Sequence, residues 1–218
     1  MIEAARATST MREPRQERSK ASHERMLVAA EEILATGDLD ALTLAAVSRR
    51  GKVSIGSIYC RFDGKDALLH AVQLRVLDRV DARMLAQIAI AREEARSLGA
   101  IVPSLVELMA ETLRAYSAWL RPLMQRATFD PVVARTGKAS YAATAAAVRA
   151  ALLVHRAEIR QPDPARAVDS AYRILYAAIA RYLGFGSATE AAWEGDWLVL
   201  KQDLSRMIAA FLATPATP

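Results

Sequence analysis

The residues between Thr43 and Lys65 combine cations, hydroxyls and small side chains in a pattern suited to contact with a polyanion. Between positions 49 and 65, five basic residues stand against one acidic residue, so five minus one gives +4 of the chain's formal net charge of +5. These residues are Arg49, Arg50, Lys52, Arg61 and Lys65 against Asp63. A local basic patch is what contact with nucleic-acid phosphates requires. A solvated positive face on an ordinary helix is the alternative interpretation.

Local signals divide the same segment into two short helices. Thr43 is a good N-cap for one helix, Gly51 marks a turn, and Ser54 opens the next helix. The core spacing of that next helix falls on Val53, Ile58 and Phe62. Two short helices joined by a tight turn form a helix-turn-helix, in which the second helix enters a DNA groove. The segment therefore predicts a DNA-binding unit.

The side chains left outside the predicted core suggest how such a unit would contact DNA. Gly56 keeps the helix surface low, Ile55 could contact a thymine methyl group, and Ser57 could bond to either kind of base edge. The hydroxyl of Tyr59 suits a phosphate oxygen, with packing between helices as its alternative role. The candidate DNA contacts are Thr43, Lys52, Ser54, Ile55, Ser57, Tyr59, Arg61 and Lys65.

The order of residues through this segment resembles the DNA-binding domain of the TetR family of transcriptional regulators. The resemblance covers roughly residues 22–75 and rests on Thr43, Val47, Gly51, Val53, Ser54, Gly56, Ser57, Ile58, Tyr59, Phe62, Lys65, Asp66 and Leu68. It implies phosphate contacts at Thr43, Tyr59 and Lys65, base-facing positions at Ser54, Ile55 and Ser57, and a helical C-terminal domain for ligand binding and dimerisation. The chain departs from the family pattern at Gly51 and Lys52, where the family usually has Ala then Gly. It also departs at Ser48, usually Ala, and at Cys60.

Composition limits the class of protein. The chain has 218 residues, of which 53% are hydrophobic, 24% charged and 6% aromatic, which favours a soluble helical protein of one or two domains. No apolar run approaches the length of about 18 residues that a membrane span needs, and the N-terminus lacks the apolar region of a signal peptide. We therefore expect a cytoplasmic protein. The single cysteine, Cys60, excludes an internal disulfide and leaves a packing role or redox sensing open.

The periodicity of the apolar residues predicts an all-α fold of about nine helices. An N-terminal three-helix helix-turn-helix domain, residues 21–66, is expected to follow a flexible basic arm, residues 1–20, and to precede a helical-bundle domain, residues 67–218. Ser22 is expected to cap the first helix. Gly99 and Pro103 are expected to end the long helix that starts near Asp66.

Two amphipathic helices close the sequence. They cover residues 164–184 and 196–213 and carry apolar residues along one side. Two-helix faces of this type pair well with a symmetry mate as a four-helix interface. We therefore expect a homodimer formed through these two segments.

A small-molecule effector is expected in an apolar cavity of the C-terminal half, where ligand sites of helical bundles occur. The candidate lining residues are Met109, Tyr116, Trp119, Leu120, Met124, Phe129, Tyr141 and Tyr172. A stripe of Met and aromatic residues at helical spacing is also typical of an ordinary core. An effector of this cavity would be mostly apolar or aromatic, with hydroxyls or one charge met by a Tyr or an Arg.

The sequence predicts no enzyme, no cofactor and no metal site. Motifs for metalloproteases, serine hydrolases and nucleotide binding are absent, and the three histidines, His23, His70 and His155, are scattered singly. The function expected is a ligand-responsive transcriptional regulator, in most such proteins a repressor. It would bind a palindromic operator of double-stranded DNA as a homodimer, with no membrane partner. The alternative is a helical small-molecule-binding protein without DNA binding.

Overall fold

The computed structural model of the protein describes residues 13–186 and 195–215. Within these ranges the chain forms nine α-helices and no strand, which confirms the all-α prediction. The helices are α1 (Glu13–Leu34), α2 (Leu44–Gly51), α3 (Ile55–Tyr59), α4 (Lys65–Glu94), α5 (Leu98–Ala115), α6 (Ser117–Arg126), α7 (Pro131–Leu153), α8 (Pro164–Tyr182) and α9 (Trp197–Ala213).

The chain packs as two compact units that divide between Val72 and Gln73. The division lies inside α4, later than the boundary at residue 66 that the sequence suggests. Because α4 is one continuous helix, it belongs to both units. The first unit contains the helix-turn-helix of α2 and α3, and the second is a helical bundle.

The first unit is built around fully buried side chains from each of its helices. Met26, Ala30 and Leu34 of α1 repeat at helical spacing and are all 0% exposed, as are Val47 of α2 and Ile58 of α3. The predicted N-cap at Thr43 is confirmed, since its Oγ1 accepts a hydrogen bond from Ala46 N at 3.1 Å. This cap and the buried side chains fix α2 and α3 on one small core.

Helix α1 begins earlier than Ser22, the residue expected to cap it. The chain is helical from Glu13 onward, so the second part of the predicted arm is helical, whereas residues 1–12 of that arm lie outside the described residues. An acidic residue followed by Pro14 is a favourable helix start, because proline fixes φ and needs no hydrogen-bond donor in the first turn. The helix ends at Leu34, before Gly37 with its φ of +86°.

The second unit has its core between α5, α8 and α9, with α7 packed on α8. Asp130 and Asp163 cap α7 and α8, and each precedes a proline at the first helical position. The Asp130 carboxylate also accepts from Arg126 Nε at 3.0 Å, which links the end of α6 to the start of α7. The start of α8 at Pro164 agrees with the expected segment 164–184.

Gly99 and Pro103 do not end a helix, contrary to the prediction. Both lie inside α5, which starts at Leu98 behind the N-cap Ser97. Proline in a second turn removes one backbone hydrogen bond. Helix α5 continues through it because its apolar face, including Ile101 and Leu105, is buried in the core of the second unit.

A buried lysine joins α5 to α9. Lys201 Nζ donates to Glu107 at 2.9 Å and to Glu111 at 2.6 Å, and Trp197 Nε1 donates to Glu111 Oε1 at 2.7 Å. The hydrogen bond from Lys201 holds the pKa of Glu111 below its usual value. The same bonds to Glu111 and Glu107 outweigh burial and raise the pKa of Lys201.

We expect Glu111→Gln to destabilise the protein at neutral pH by about 1 kcal/mol, a modest value because this carboxylate is 38% exposed. A lowered folded pKa contributes stability above the unfolded value of 4.5 that is lost as the pH falls through the folded pKa. The difference between wild type and variant should therefore vanish in acid. Thermal unfolding between neutral and acidic pH tests this, with Glu93→Gln, an exposed position of α4, as control. A difference that persists in acid would contradict the account.

No helix within the described residues has both the length and the apolar character needed to cross a membrane.

Candidate nucleic-acid interface and effector cavity

The turn between α2 and α3 depends on Lys52, not on Gly51. Lys52 has φ 50° and ψ 47°, the left-handed conformation that closes a helix, and its backbone N–H donates to Ser48 O. Gly51 is instead the last residue of α2 and is buried. A Cβ at that position would lie 2.9 Å from the backbone oxygen of Arg25 in α1. Gly51 therefore permits close packing of α2 on α1, and the interpretation of Gly51 as the turn glycine is wrong.

Ser48 fixes the same turn from its other side. Its hydroxyl donates to Val53 O at 2.6 Å, and Val53 N donates back to Ser48 O at 3.1 Å. An alanine at position 48 could not make the side-chain bond. The serine hydroxyl thus stabilises a turn whose left-handed residue is a lysine rather than a glycine.

We expect Lys52→Gly to raise the stability of the first unit by about 0.5–1 kcal/mol. A non-glycine residue in the left-handed region costs about 1–2 kcal/mol, and part of that gain is offset by the greater unfolded-state entropy of glycine. Lys52→Ala is the matched control because it removes the same charge and keeps the strain. Thermal unfolding should separate the two variants, and equal midpoints would show that position 52 is not strained.

Helix α3 presents a low apolar and phenolic surface. Ile55 is 42% exposed and Tyr59, four residues later on the same side, is 61% exposed. Gly56 lies beside them, with no atom within 4 Å of where its Cβ would be. The exposure of Tyr59 argues against the alternative in which this ring packs between helices.

Two of the predicted contacts also hold α3 in shape. Ser54 is the N-cap, and its Oγ accepts from Ser57 N at 3.1 Å. The two hydroxyl oxygens lie 2.7 Å apart. Because these hydroxyls bond to each other, they contact a base edge only through their remaining hydrogen-bonding capacity.

Some of the cations around α3 are hydrogen-bonded within the protein, and others are exposed. Lys65 Nζ donates to Leu39 O at 2.6 Å, and the guanidinium of Arg61 donates to the backbone oxygen of Ser19 at 2.9 Å. The remaining predicted cation, Lys52, is exposed, and so is Arg49 at the end of α2, which was not among the predicted contacts. The basic character of the segment was the signal that could have included Arg49.

The second unit contains a cavity of about 340 Å³. Its wall is mainly apolar, and five of the eight predicted lining residues contribute to it: Met109, Leu120, Met124, Tyr141 and Tyr172. The volume is at the lower end of the usual range for small-molecule sites, roughly 300–1,000 Å³.

Three predicted lining residues do not line this cavity. Tyr116 and Trp119 lie at the junction of α5 and α6, where their rings pack on each other with centroids 6.0 Å apart. Phe129 follows α6 in a turn, is 68% exposed, and lies under the guanidinium of Arg126 at 5.1 Å. The helical period that placed these rings on one face is broken where α5 ends and again where α6 ends.

Gln73 is a polar residue of the cavity that the sequence interpretation did not include. It is 2% exposed, and its Nε2 donates to Val133 O at 2.9 Å. Its signal in the sequence is an amide at helical spacing from Leu69, Leu77 and Val80, on the apolar side of α4.

A cluster of three tyrosines forms one wall of the cavity. The ring centroid of Tyr141 lies 5.1 Å from that of Tyr172 and 4.9 Å from that of Tyr176. Burial raises the pKa of all three hydroxyls above the usual value of 10. These groups therefore stay neutral at physiological pH and offer hydrogen bonds without charge.

In the described part of the chain, no group of three or more His, Cys, Asp or Glu side chains is placed to hold a metal ion.

The fold is shared with solved bacterial regulators. A Mesorhizobium loti MAFF303099 protein assigned to the TetR family of transcriptional regulators superposes with a TM-score of 0.72 at 18% identity, covering 90% of this chain and 97% of that one. Salmonella enterica GusR superposes with a TM-score of 0.63 at 23% identity, covering 88% and 95%. The fatty acid degradation regulator FadR from Bacillus halodurans gives 0.62 at 14% identity, covering 86% and 97%. At these identities the likeness establishes the fold.

No curated protein sequence matches the chain. The helix-turn-helix, however, matches a family model directly. Residues 26–72, which run from α1 into α4, match the model of the bacterial regulatory proteins of the tetR family. This match carries the DNA-binding assignment, and the helical C-terminal unit completes the fold of the same family. Residues 26–72 are thus similar to the DNA-binding domain of the bacterial tetR-family regulators, and the chain has the fold of the solved regulators of that family.

Proposed function

We propose that the protein is a repressor that binds a palindromic operator as a homodimer and is released from it by a small, mostly apolar effector. The observation that carries the DNA-binding part is the exposed face of α3, formed by Ile55, Gly56 and Tyr59. A helix with so low a surface can approach base edges closely, and flanking cations can contact the phosphates on either side.

We assign the contacts by their environment. Ile55 and Ser57 are base-facing positions, with Ser54 supporting them as the cap of α3. Thr43, Lys52, Tyr59, Arg61 and Lys65 are phosphate positions, to which we add Arg49. Lys65 and Arg61 have backbone partners within the first unit, so we expect them to fix orientation as well as to attract phosphate.

The homodimer is proposed to form through residues 164–184 and 196–213. Support comes from large apolar side chains that α8 and α9 leave exposed: Ile174, Leu198, Val199, Met207 and Phe211. An exposed apolar set on two adjacent helices is typical of a subunit interface. The helix-turn-helix units of two chains related by a twofold axis would contact major-groove faces about 34 Å or a small multiple apart.

The proposed effector site is the cavity of the second unit. An effector releases DNA only if it binds one form of the dimer more tightly than the DNA-bound form, and in that form the helix-turn-helix units must be spaced differently. Helix α4 lines the cavity through Gln73, Leu77 and Val80, and its first residues, up to Val72, belong to the first unit. We therefore expect α4 to carry this difference. A regulator of this kind acts in the cytoplasm, where the DNA is.

A gel shift with the DNA that flanks the protein's own gene tests the proposal. We expect a shifted band at submicromolar protein, a footprint with twofold symmetry, and a dimer in light scattering. A protein that binds apolar ligands but shifts none of this DNA would support the alternative of a small-molecule-binding protein without DNA binding. A monomer at micromolar concentration would contradict the assignment of α8 and α9.

A further inference from the structure

The cavity of the second unit contains a hydrogen-bond acceptor without a donor. Gln73 donates through Nε2 to Val133 O, and this bond fixes which end of the amide points where. Among the described residues, none donates to Gln73 Oε1, although the side chain is almost completely buried. A buried amide oxygen left in this state is costly, and its presence in a cavity wall points to a ligand that supplies the donor.

The other polar groups that line the cavity are already hydrogen-bonded or are uncharged. The hydroxyl of Ser140 donates to Asp81 at 2.5 Å, and burial keeps the tyrosine hydroxyls protonated. Lys138 is the one cation in the lining that the structure describes, and it is exposed. Apart from the exposed Lys138, the side chains that line the described cavity are thus uncharged, and the nearby Asp81 carboxylate already accepts from Ser140.

Size and shape narrow the ligand further. The volume of 340 Å³ is roughly twice that of an apolar cavity known to accept benzene. The rings of Tyr141 and Tyr176 meet edge to face at 80°, an arrangement that aromatic ligands extend favourably. Met84, Met109 and Met124 belong to the lining and supply an adaptable apolar surface.

We propose that this cavity selects uncharged, compact aromatic molecules that carry one hydroxyl or N–H donor, and that Gln73 Oε1 accepts the hydrogen bond from that donor. The inference rests on the proposed effector role of the cavity. It adds the chemical class of the effector and the residue that discriminates it. A carboxylate at the same place would face the amide oxygen with its own oxygens and is excluded from this position.

Three probes of similar shape test the inference by isothermal titration calorimetry on the full chain: naphthol, its methyl ether methoxynaphthalene, and naphthoate, all substituted at the same ring carbon. We expect wild type to bind naphthol at least about tenfold more tightly than the ether, because only naphthol donates to Gln73. Naphthoate should bind most weakly. Equal affinities for naphthol and its ether, tightest binding of naphthoate, or no binding of any probe would each overturn the proposal.

The variant Gln73→Met keeps the length of the side chain and removes the acceptor. It should bring the affinity ratio of naphthol to its ether close to one. The control Leu74→Met, at an exposed position of α4 outside the cavity lining, should leave the wild-type ratio intact. A ratio in Gln73→Met equal to that of wild type would overturn the role of Gln73. If this variant does not fold, the comparison of probes in wild type still decides whether the site requires a donor.

A parallel measurement of DNA release separates this inference from the proposed function. Naphthol and its ether binding equally while both release DNA would overturn the donor requirement and leave the effector role standing. Discrimination by Gln73 without any release of DNA would uphold the binding inference and contradict the effector role.

Discussion

Replacing Gly56 with glutamate is expected to abolish DNA binding while leaving the fold intact. No atom lies within 4 Å of the Cβ position at Gly56, so a longer side chain extends into solvent without a clash. A carboxylate in the first turn of a helix is also favourable to that helix. The variant therefore changes the surface of α3 without disturbing what holds α3 in place.

The size of the loss follows from where the charge is placed. A glutamate at position 56 would stand between Ile55 and Tyr59 on the face proposed to enter the groove, opposite the negative potential of DNA. We expect at least about a hundredfold loss of affinity, since like-charge juxtaposition at an interface costs several kcal/mol. Fluorescence anisotropy with labelled duplex measures it.

Ala89→Glu is the matched control. Ala89 is exposed on α4 in the second unit, so the substitution changes net charge equally but away from α3. It should reduce DNA affinity only slightly. Equal losses in the two variants would mean that total charge, rather than the face of α3, controls binding.

The second large effect is expected at Gly51. An alanine methyl group there would lie 2.9 Å from the backbone oxygen of Arg25 and 3.3 Å from the Cβ of Ala29, so α2 would have to move away from α1. We expect Gly51→Ala to destabilise the first unit by about 2–3 kcal/mol, the usual cost of overpacking a tight contact. That corresponds to a fall of roughly 10–20 °C in the unfolding midpoint of a small domain.

Gly64→Ala is the control for Gly51→Ala. Gly64 has open space at its Cβ position and no positive φ, so the same substitution there should cost little. Circular dichroism of the full chain, followed through thermal unfolding, should show an early transition only for Gly51→Ala. If both variants unfold like wild type, the close approach of α2 to α1 is not needed.

Local features of the sequence predicted most of the fold. Thr43 and Ser54 are caps whose effect depends on the three residues that follow them, so the starts of α2 and α3 could be identified without tertiary information. The core spacing of Val53 and Ile58 was likewise local. Such positions are decided by short-range geometry.

The positions that were misinterpreted depend on contacts between distant segments. Gly51 is needed because Arg25, far away in sequence, passes close to it, and Lys52 then takes the left-handed conformation. Gln73 gains its importance from Val133 in another helix. Tyr116 and Phe129 do not line the cavity because they lie at or beyond the ends of helices. The chain changes direction at these points, and the helical periodicity of the sequence does not show such changes.

The salt dependence of DNA affinity shows whether α3 and its flanking cations hold DNA. Each phosphate contact contributes about 0.9 to the slope of log affinity against log salt. The double variant Arg49→Ala with Lys52→Ala should lower this slope by about two units for each DNA-binding unit. A slope equal to that of wild type, with affinity also unchanged, would contradict this prediction.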